Sequence, residues 1–200
     1  QVLRDVPPHQ IRAVGTNTLR KASNSGDFLV RATQALGCPI DIIPGIEEAR
    51  IIYQGVSHSV PYQEGRRLVI DIGGGSTECI IGEGYETVRC DSLYMGCVSF
   101  TQEFFGDGRI TSKRLNDAQL RAQLEVHPIE RLYHNLGWEA VLGASGTIKA
   151  VDSILHQAGW TKSAITLSGL NKIKSHLLGA GAIDKIELPG LTPERKPVIV

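Results

Sequence analysis

The sequence lacks an excess of charge of either sign. Its 200 residues include 21 lysines and arginines and 21 aspartates and glutamates, so the formal net charge is zero. Proteins that bind nucleic acid, anionic membranes or other polyanions over a wide surface usually carry a basic surplus. The composition therefore predicts no nucleic acid partner, and a site for a phosphate compound would have to be local.

Cysteine is scarce, and long apolar runs are missing. The four cysteines form no Cys-x-x-Cys pair and stand in or beside apolar segments, which is typical of reduced, buried thiols and argues against metal binding by cysteine. No apolar stretch approaches the roughly 20 residues that span a bilayer, and no signal segment opens the chain. We therefore expect a cytoplasmic protein without integral membrane association.

The two ends also lack the usual marks of a complete chain. The sequence begins with Gln1 rather than methionine and closes on an apolar run at residues 197–200. We therefore expect a chain that is truncated at both ends.

Hydrophobic periodicity predicts alternating strands and helices. Strands are expected at 12–16, 40–43, 68–72, 78–81, 85–90 and 140–142. Helices are expected at 24–35, 45–56, 112–135 with an interruption at Pro128, 147–157 and 167–178. This order indicates an α/β fold in two lobes. Residues 1–52 would form the C-terminal part of the first lobe, and residues 53–200 would form the second.

The strongest local feature is a glycine-rich turn between two apolar runs. Asp71 ends the first run, three glycines follow at 73–75, and Glu78 opens the second run. Adjacent glycines let backbone N–H groups converge on an anion, because no Cβ blocks the approach and a positive φ costs little. The two carboxylates can reach a Mg²⁺ ion that shares oxygen ligands with a phosphate, and Ser76 and Thr77 add hydroxyl donors.

A simpler explanation is a hairpin whose glycines only satisfy the turn, with solvated carboxylates at its mouth. Three features favour a phosphate site instead. The turn has three glycines where a tight hairpin needs one or two, Asp71 directly follows apolar residues, and Glu78 falls on the opposing strand. The segment is not a Walker loop, because no Gly-Lys-Ser/Thr opens a helix after it.

The order strand, Asp-x-Gly-Gly-Gly-Ser-Thr-Glu, strand resembles the second phosphate loop of the acetate kinase, sugar kinase, heat-shock protein and actin superfamily. Its Ser-Thr-Glu ending resembles the exopolyphosphatase and guanosine pentaphosphate phosphohydrolase family (Ppx/GppA). Segments 14–20, 45–50, 95–99 and 143–147 resemble that family in the same order. The resemblance implies a two-lobed ribonuclease H-like fold, here without the family's first Asp-x-Gly-Ser-Asn-Ser loop.

The resemblance also implies roles for individual residues. Glu48 would be the catalytic glutamate, Arg20 would contact phosphate, and Asp71 and Glu78 would surround a Mg²⁺ cofactor. The two small-residue turns would supply further phosphate-binding residues: Gly73, Gly74, Gly75, Ser76, Thr77, Gly143, Ser145 and Gly146. We expect strand 68–71 to pair antiparallel with strand 78–81, and Asp71, Glu78 and Ser145 to line one cleft.

Each of these residue types also has an ordinary structural explanation. Acidic residues in a first helical turn, such as Glu47 and Glu48, interact favourably with the helix dipole, and we expect Glu47 to do only that. Arg20 could be a surface cation. Ser145 could cap a helix, which is compatible with a binding role.

The resemblance implies Mg²⁺-dependent hydrolysis of the terminal phosphate of inorganic polyphosphate, with Glu48 as the base that deprotonates water. Guanosine pentaphosphate is the alternative substrate, and residues 14–20 resemble the exopolyphosphatase branch slightly more. Two other classes stay open: a kinase that transfers phosphate from ATP, and an ATP-binding module of the heat-shock protein or actin type. Homodimer formation is also left open.

Overall fold

The computed structural model describes residues 6–200, except for the side chain of Pro8. Residues 1–5 of the predicted first lobe lie outside the described residues. The strands are β1 (Ala13–Gly15), β2 (Ile40–Ile42), β3 (Arg66–Ile72), β4 (Thr77–Glu83), β5 (Glu86–Leu93) and β6 (Ala140–Ala144). The α-helices are α1 (Asn17–Lys21), α2 (Ser25–Leu36), α3 (Gly45–Ser59), α4 (Cys97–Phe105), α5 (Ser112–Leu136), α6 (Ser145–Gln157) and α7 (Leu167–Ala180).

The strands form two sheets. β1 and β2 make a parallel pair, and the larger sheet has the order β5-β4-β3-β6. β3 pairs antiparallel with β4, with Leu68 opposite Ile81 and Asp71 opposite Glu78, which confirms the pairing predicted from the sequence. β3 and β6 are parallel, so their carboxyl ends meet at one edge of the sheet. The glycine turn and Ser145, which follow these strands, therefore share that edge.

The sequence prediction missed helices α1 and α4 and wrongly placed an interruption in α5. Helices α1 and α4 follow polar or glycine-containing segments, and their lengths of 5 and 9 residues are too short to give a clear periodic signal. Helix α5 runs through Pro128 without interruption. Pro128 and Leu124, whose carbonyl loses its helical partner at the proline, are both exposed, so water can satisfy that carbonyl.

The larger sheet is covered by helices on both faces. On one face, Ala49 and Tyr53 of α3 pack against Val69 and Ile80. On the other face, Tyr133 of α5 packs against the sheet, and its hydroxyl donates to the carbonyl of Cys79 at 2.6 Å. Helix α3 crosses the proposed lobe boundary at residues 52 and 53 without a break, and the division into lobes stays a prediction.

The contact between α3 and the sheet should be a major source of stability. The Ile80 side chain is fully buried between Tyr53 and Val69. We expect Ile80→Ala to lower the free energy of unfolding by about 2–5 kcal/mol, because it removes buried methyl groups and leaves a cavity. Val88→Ala on β5, where the side chain is 43% exposed, should change it by less than about 0.5 kcal/mol. Urea unfolding of both variants tests this; equal losses would contradict it.

Candidate active site

The first turn of α3 places one glutamate beside an arginine from α1. Arg20 Nη1 lies 3.3 Å from Glu48 Oε2 and donates to the carbonyl of Ile43 at 2.5 Å. Both charged side chains are largely buried, with 24% and 17% of their surface exposed. Glu48 is therefore held in one orientation, and within residues 6–200 the other guanidinium N–H groups of Arg20 have no hydrogen-bond partner, so they could contact a ligand.

The neighbouring glutamate turns away from Glu48. Both carboxylate oxygens of Glu47 accept from Arg50, at 2.7 and 2.8 Å, one helical turn along α3. These hydrogen bonds lower the pKa of Glu47. The position of Glu47 fits the structural task expected from the sequence, since its carboxylate is already paired on the helix surface.

The glycine turn, residues 73–76, is fixed from behind by the start of α4. The backbone N–H groups of Cys97 and Val98 donate to the carbonyls of Gly73 and Gly74 at 2.9 and 2.8 Å. Inside the turn, the Gly73 N–H donates to the carbonyl of Ser76 at 2.9 Å. The segment 95–99, singled out in the sequence, thus holds the turn through backbone hydrogen bonds.

Gly75 in this turn and Gly96 beside it are needed for space rather than for unusual backbone angles. None of Gly73, Gly74 and Gly75 has a positive φ, so the turn does not use the freedom of glycine to adopt one. A Cβ on Gly75 would lie 1.9 Å from Asn17 Nδ2, and a Cβ on Gly96 would lie 2.5 Å from the backbone of Gly74. Gly75 is therefore packed against α1 and Gly96 against the turn, so only glycine fits at these two positions, whereas a Cβ on Gly74 would make ordinary contacts at 3.5 Å or more.

The two hydroxyl residues of the turn are both buried. Thr77 donates to the carbonyl of Met95 at 2.7 Å, so its hydroxyl hydrogen is used within the protein. This corrects the expectation that Thr77 donates to phosphate: its hydroxyl helps to hold the turn against the segment before α4. The Ser76 side chain lies close enough to Glu78 to oppose the rise that burial causes in the pKa of that carboxyl.

Asp71 and Glu78 lie directly across from each other on β3 and β4. Burial raises the pKa of both carboxyl groups. Hydrogen bonds from Ser92 and Ser76 oppose this shift at Glu78, whereas the negative charges of Glu48 and Asp71 add to it. The three carboxylates thus share one region of the cleft, and their mutual repulsion would be relieved by a bound cation.

The two carboxylates of the site suit Mg²⁺ better than they suit a metal ion that is bound by protein side chains alone. Within residues 6–200, no group of three or more His, Cys, Asp or Glu side chains could hold one metal ion. Mg²⁺ is usually bound through one or two carboxylates together with water and substrate phosphates. Asp71 and Glu78, facing each other beside a glycine turn, match that pattern.

The second small-residue turn reaches the same edge of the sheet from β6. Ser145, the first residue of α6, has a φ of 72°, which is uncommon for a residue other than glycine. Its hydroxyl lies 3.3 Å from the carbonyl of Ile72, and its interaction with Asp71 opposes the rise that burial causes in the pKa of that carboxyl. A Cβ on Gly143 would lie 2.3 Å from Ile148 Cγ2. The structure therefore brings Asp71, Glu78 and Ser145 together, as predicted.

Three residues of this region were not found from the sequence. Asn17 packs on Gly75, Ser92 hydrogen-bonds Glu78, and the guanidinium of Arg195 lies over Gly146, where an added Cβ would be 1.8 Å from Nη2. Asn17 lies within segment 14–20, and Ser92 lies shortly before segment 95–99. Neither residue belongs to a spacing pattern that would indicate its role. The isolated Arg195 follows a proline turn, and only the fold brings it to α6.

The fold and the site define an α/β protein whose glycine turn is bordered by carboxylates and suits a phosphate ligand. A family model described as the Ppx/GppA phosphatase family matches residues 1–200. The chain belongs to that family. Two curated relatives from strains of Vibrio cholerae serotype O1, both named guanosine-5'-triphosphate,3'-diphosphate pyrophosphatase, are 45% identical over 193 residues. The match covers 96% of this chain and 38% of each relative.

Solved structures give the same fold. An exopolyphosphatase from Cytophaga hutchinsonii matches with a TM-score of 0.79 and 24% identity, and a PPX-GPPA enzyme from Aquifex aeolicus matches with 0.74 and 24%. Each match covers 94% of this chain and 63% of the other. The predicted α/β fold class is confirmed, and this chain spans less than two thirds of these relatives.

Membrane insertion by a helix finds no support in the part of the chain that the structure describes. None of its helices combines the length and the apolar character needed to cross a bilayer.

Proposed function

We propose that this chain is the part of a phosphoric anhydride hydrolase that carries the catalytic glutamate and one phosphate-binding turn. The observation that supports this most is the meeting of three carboxylates, Glu48, Asp71 and Glu78, beside the glycine turn. A turn of backbone N–H groups suits a phosphate, and neighbouring carboxylates suit a cation and a water molecule.

In the proposed reaction, Glu48 accepts a proton from the attacking water. Arg20 keeps Glu48 oriented, and its remaining N–H groups stabilise charge on the transferring phosphoryl group together with the backbone N–H groups of residues 74–76, since that of Gly73 is already bonded to Ser76. Asp71 and Glu78 would hold Mg²⁺, which when bound neutralises negative charge on the phosphate oxygens. No covalent enzyme intermediate is needed.

Two substrates of this class are supported by different relatives. The 45% identical proteins are named for guanosine-5'-triphosphate,3'-diphosphate, while the structural match from Cytophaga hutchinsonii is an exopolyphosphatase. Both compounds end in a phosphoric anhydride, so one set of groups can serve either. We propose hydrolysis of inorganic polyphosphate to orthophosphate, with guanosine pentaphosphate as the alternative substrate.

A cytoplasmic location and the formation of a homodimer are two further proposals. The free thiols at Cys38, Cys79, Cys90 and Cys97 support a cytoplasmic location, since reduced cysteines are usual there. Homodimer formation is open to measurement by sedimentation.

Orthophosphate release by the full-length protein tests the proposed function. We expect release from polyphosphate or guanosine pentaphosphate without an added acceptor, loss of release when EDTA removes Mg²⁺, and recovery when Mg²⁺ is restored. Consumption of ATP that depends on a sugar or acid acceptor would instead indicate a kinase. Retention of ATP with no release from either substrate would indicate an ATP-binding module, and each of these results would contradict the proposal.

A further inference from the structure

Ser92 is the hydrogen-bond donor that the structure gives Glu78 from the neighbouring strand. The two residues are directly opposite each other on β5 and β4, so their side chains lie on the same face of the sheet. Ser92 Oγ donates to Glu78 Oε1 at 2.9 Å. Glu78 is only 2% exposed, and a buried carboxylate depends on such donors for a fixed orientation.

The same serine also touches the helix that carries the proposed base. A Cβ built on Gly45, the first residue of α3, would lie 2.3 Å from Ser92 Oγ and 2.5 Å from Ser92 Cβ. The backbone of Gly45 is therefore packed directly on the serine side chain. Glu48 stands three residues further along this helix. Ser92 therefore contacts both Glu78 on β4 and the helix that carries Glu48.

On the basis of the function proposed above, we propose that Ser92 is a positioning residue. It would position Glu78, which would hold Mg²⁺, and helix α3, which carries Glu48. Its hydroxyl holds Glu78 in one orientation, and its small side chain sets the approach of α3 to β5. Alanine removes the donor, and larger side chains fill the space that Gly45 occupies.

Mg²⁺ binding, measured by calorimetry on the full-length protein, separates this role from simple packing. We expect Ser92→Ala to weaken Mg²⁺ binding about 10- to 100-fold, as is usual when a group that orients a metal ligand is lost. The unfolding temperature should stay close to that of the wild type. The reduced phosphate release should recover at high Mg²⁺ concentration.

Ser57→Ala is the matched control. Ser57 is 2% exposed and donates only within α3, to the carbonyl of Gln54 at 3.1 Å. This variant removes a buried hydroxyl from α3, the helix that carries Glu48, without touching the carboxylates. Its Mg²⁺ affinity should equal that of the wild type.

A double-mutant cycle tests the contact with Gly45. Gly45→Ala should weaken Mg²⁺ binding in the wild type, because the new methyl group displaces the Ser92 hydroxyl. In the Ser92→Ala background, the same change should have a smaller effect, since the hydroxyl is gone and only the 2.5 Å contact with the Cβ of residue 92 remains. Equal effects in both backgrounds would overturn this part of the proposal.

The outcomes distinguish this inference from the proposed function. If the wild type binds Mg²⁺ and releases orthophosphate while Ser92→Ala binds Mg²⁺ equally well, the inference is overturned and the proposed function stands. If the wild type neither binds Mg²⁺ nor releases orthophosphate, both are overturned. Weak binding by Ser92→Ala together with normal binding by Ser57→Ala supports the inference.

Discussion

Replacing Glu48 by glutamine should lower kcat of the full-length protein about 10²- to 10⁴-fold, because the amide cannot accept the proton of the attacking water. Glutamine keeps the size of the side chain and can still accept a hydrogen bond from Arg20, which lies 3.3 Å from the carboxylate. KM should therefore change little. Orthophosphate release under saturating Mg²⁺ measures both constants.

The neighbouring Glu47 provides a matched control one residue away. Glu47→Gln removes the charge that pairs with Arg50 on the helix surface, where ion pairs contribute little to stability. Its kcat should stay near the wild-type value. If both substitutions reduced kcat equally, or if Glu47→Gln reduced it more, Glu48 could not be the base.

Much of the larger sheet could be predicted because the pairing of its strands depends on residues that are close together in the sequence. The apolar runs around the glycine turn have the length and composition of strands, and a short turn between them imposes an antiparallel pair. Once that pair forms, Asp71 and Glu78 must face each other. The position of Ser145 could also be predicted, because its turn follows another strand of the same sheet.

The partners of the carboxylates could not be predicted in the same way. The contact between Ser92 and Glu78 depends on the register of β4 and β5, which shifts at an irregularity near Ile81 and Gly82. The contact between Asn17 and Gly75 joins residues that are far apart in the chain. Sequence periodicity describes one element at a time and carries no information on such pairs.

The glycines illustrate why a correct prediction can have the wrong reason. Their number in the turn predicted a close approach to the backbone, and the structure shows close approaches at Gly75 and Gly96. A positive φ, which glycine permits at little cost, is absent from residues 73–75. Crowding requires glycine at positions 75 and 96, and this crowding depends on helices α1 and α4, which were not predicted from the sequence.

Gly96→Ala should damage the site more than its small size suggests. The added methyl group would lie 2.5 Å from the carbonyl carbon of Gly74 and from the nitrogen of Gly75, so α4 and the glycine turn must move apart. The hydrogen bonds from Cys97 and Val98 to the turn would lengthen. Since a displacement of about 1 Å can cost 10²-fold in rate, we expect kcat/KM for phosphate release to fall by about 10²-fold or more.

Gly179→Ala in α7 is the control for the same chemical change. Apart from the adjoining residues and the backbone of its own helix, no heavy atom of residues 6–200 lies within 4 Å of the Cβ that this substitution adds, and alanine in a helix is favoured over glycine by about 0.5–1 kcal/mol. This variant should keep wild-type kcat/KM and unfold at an equal or slightly higher temperature. If Gly96→Ala kept the wild-type kcat/KM, the prediction would be contradicted, because the turn would not need its contact with α4. Phosphate binding by the turn would then depend on its own backbone N–H groups alone.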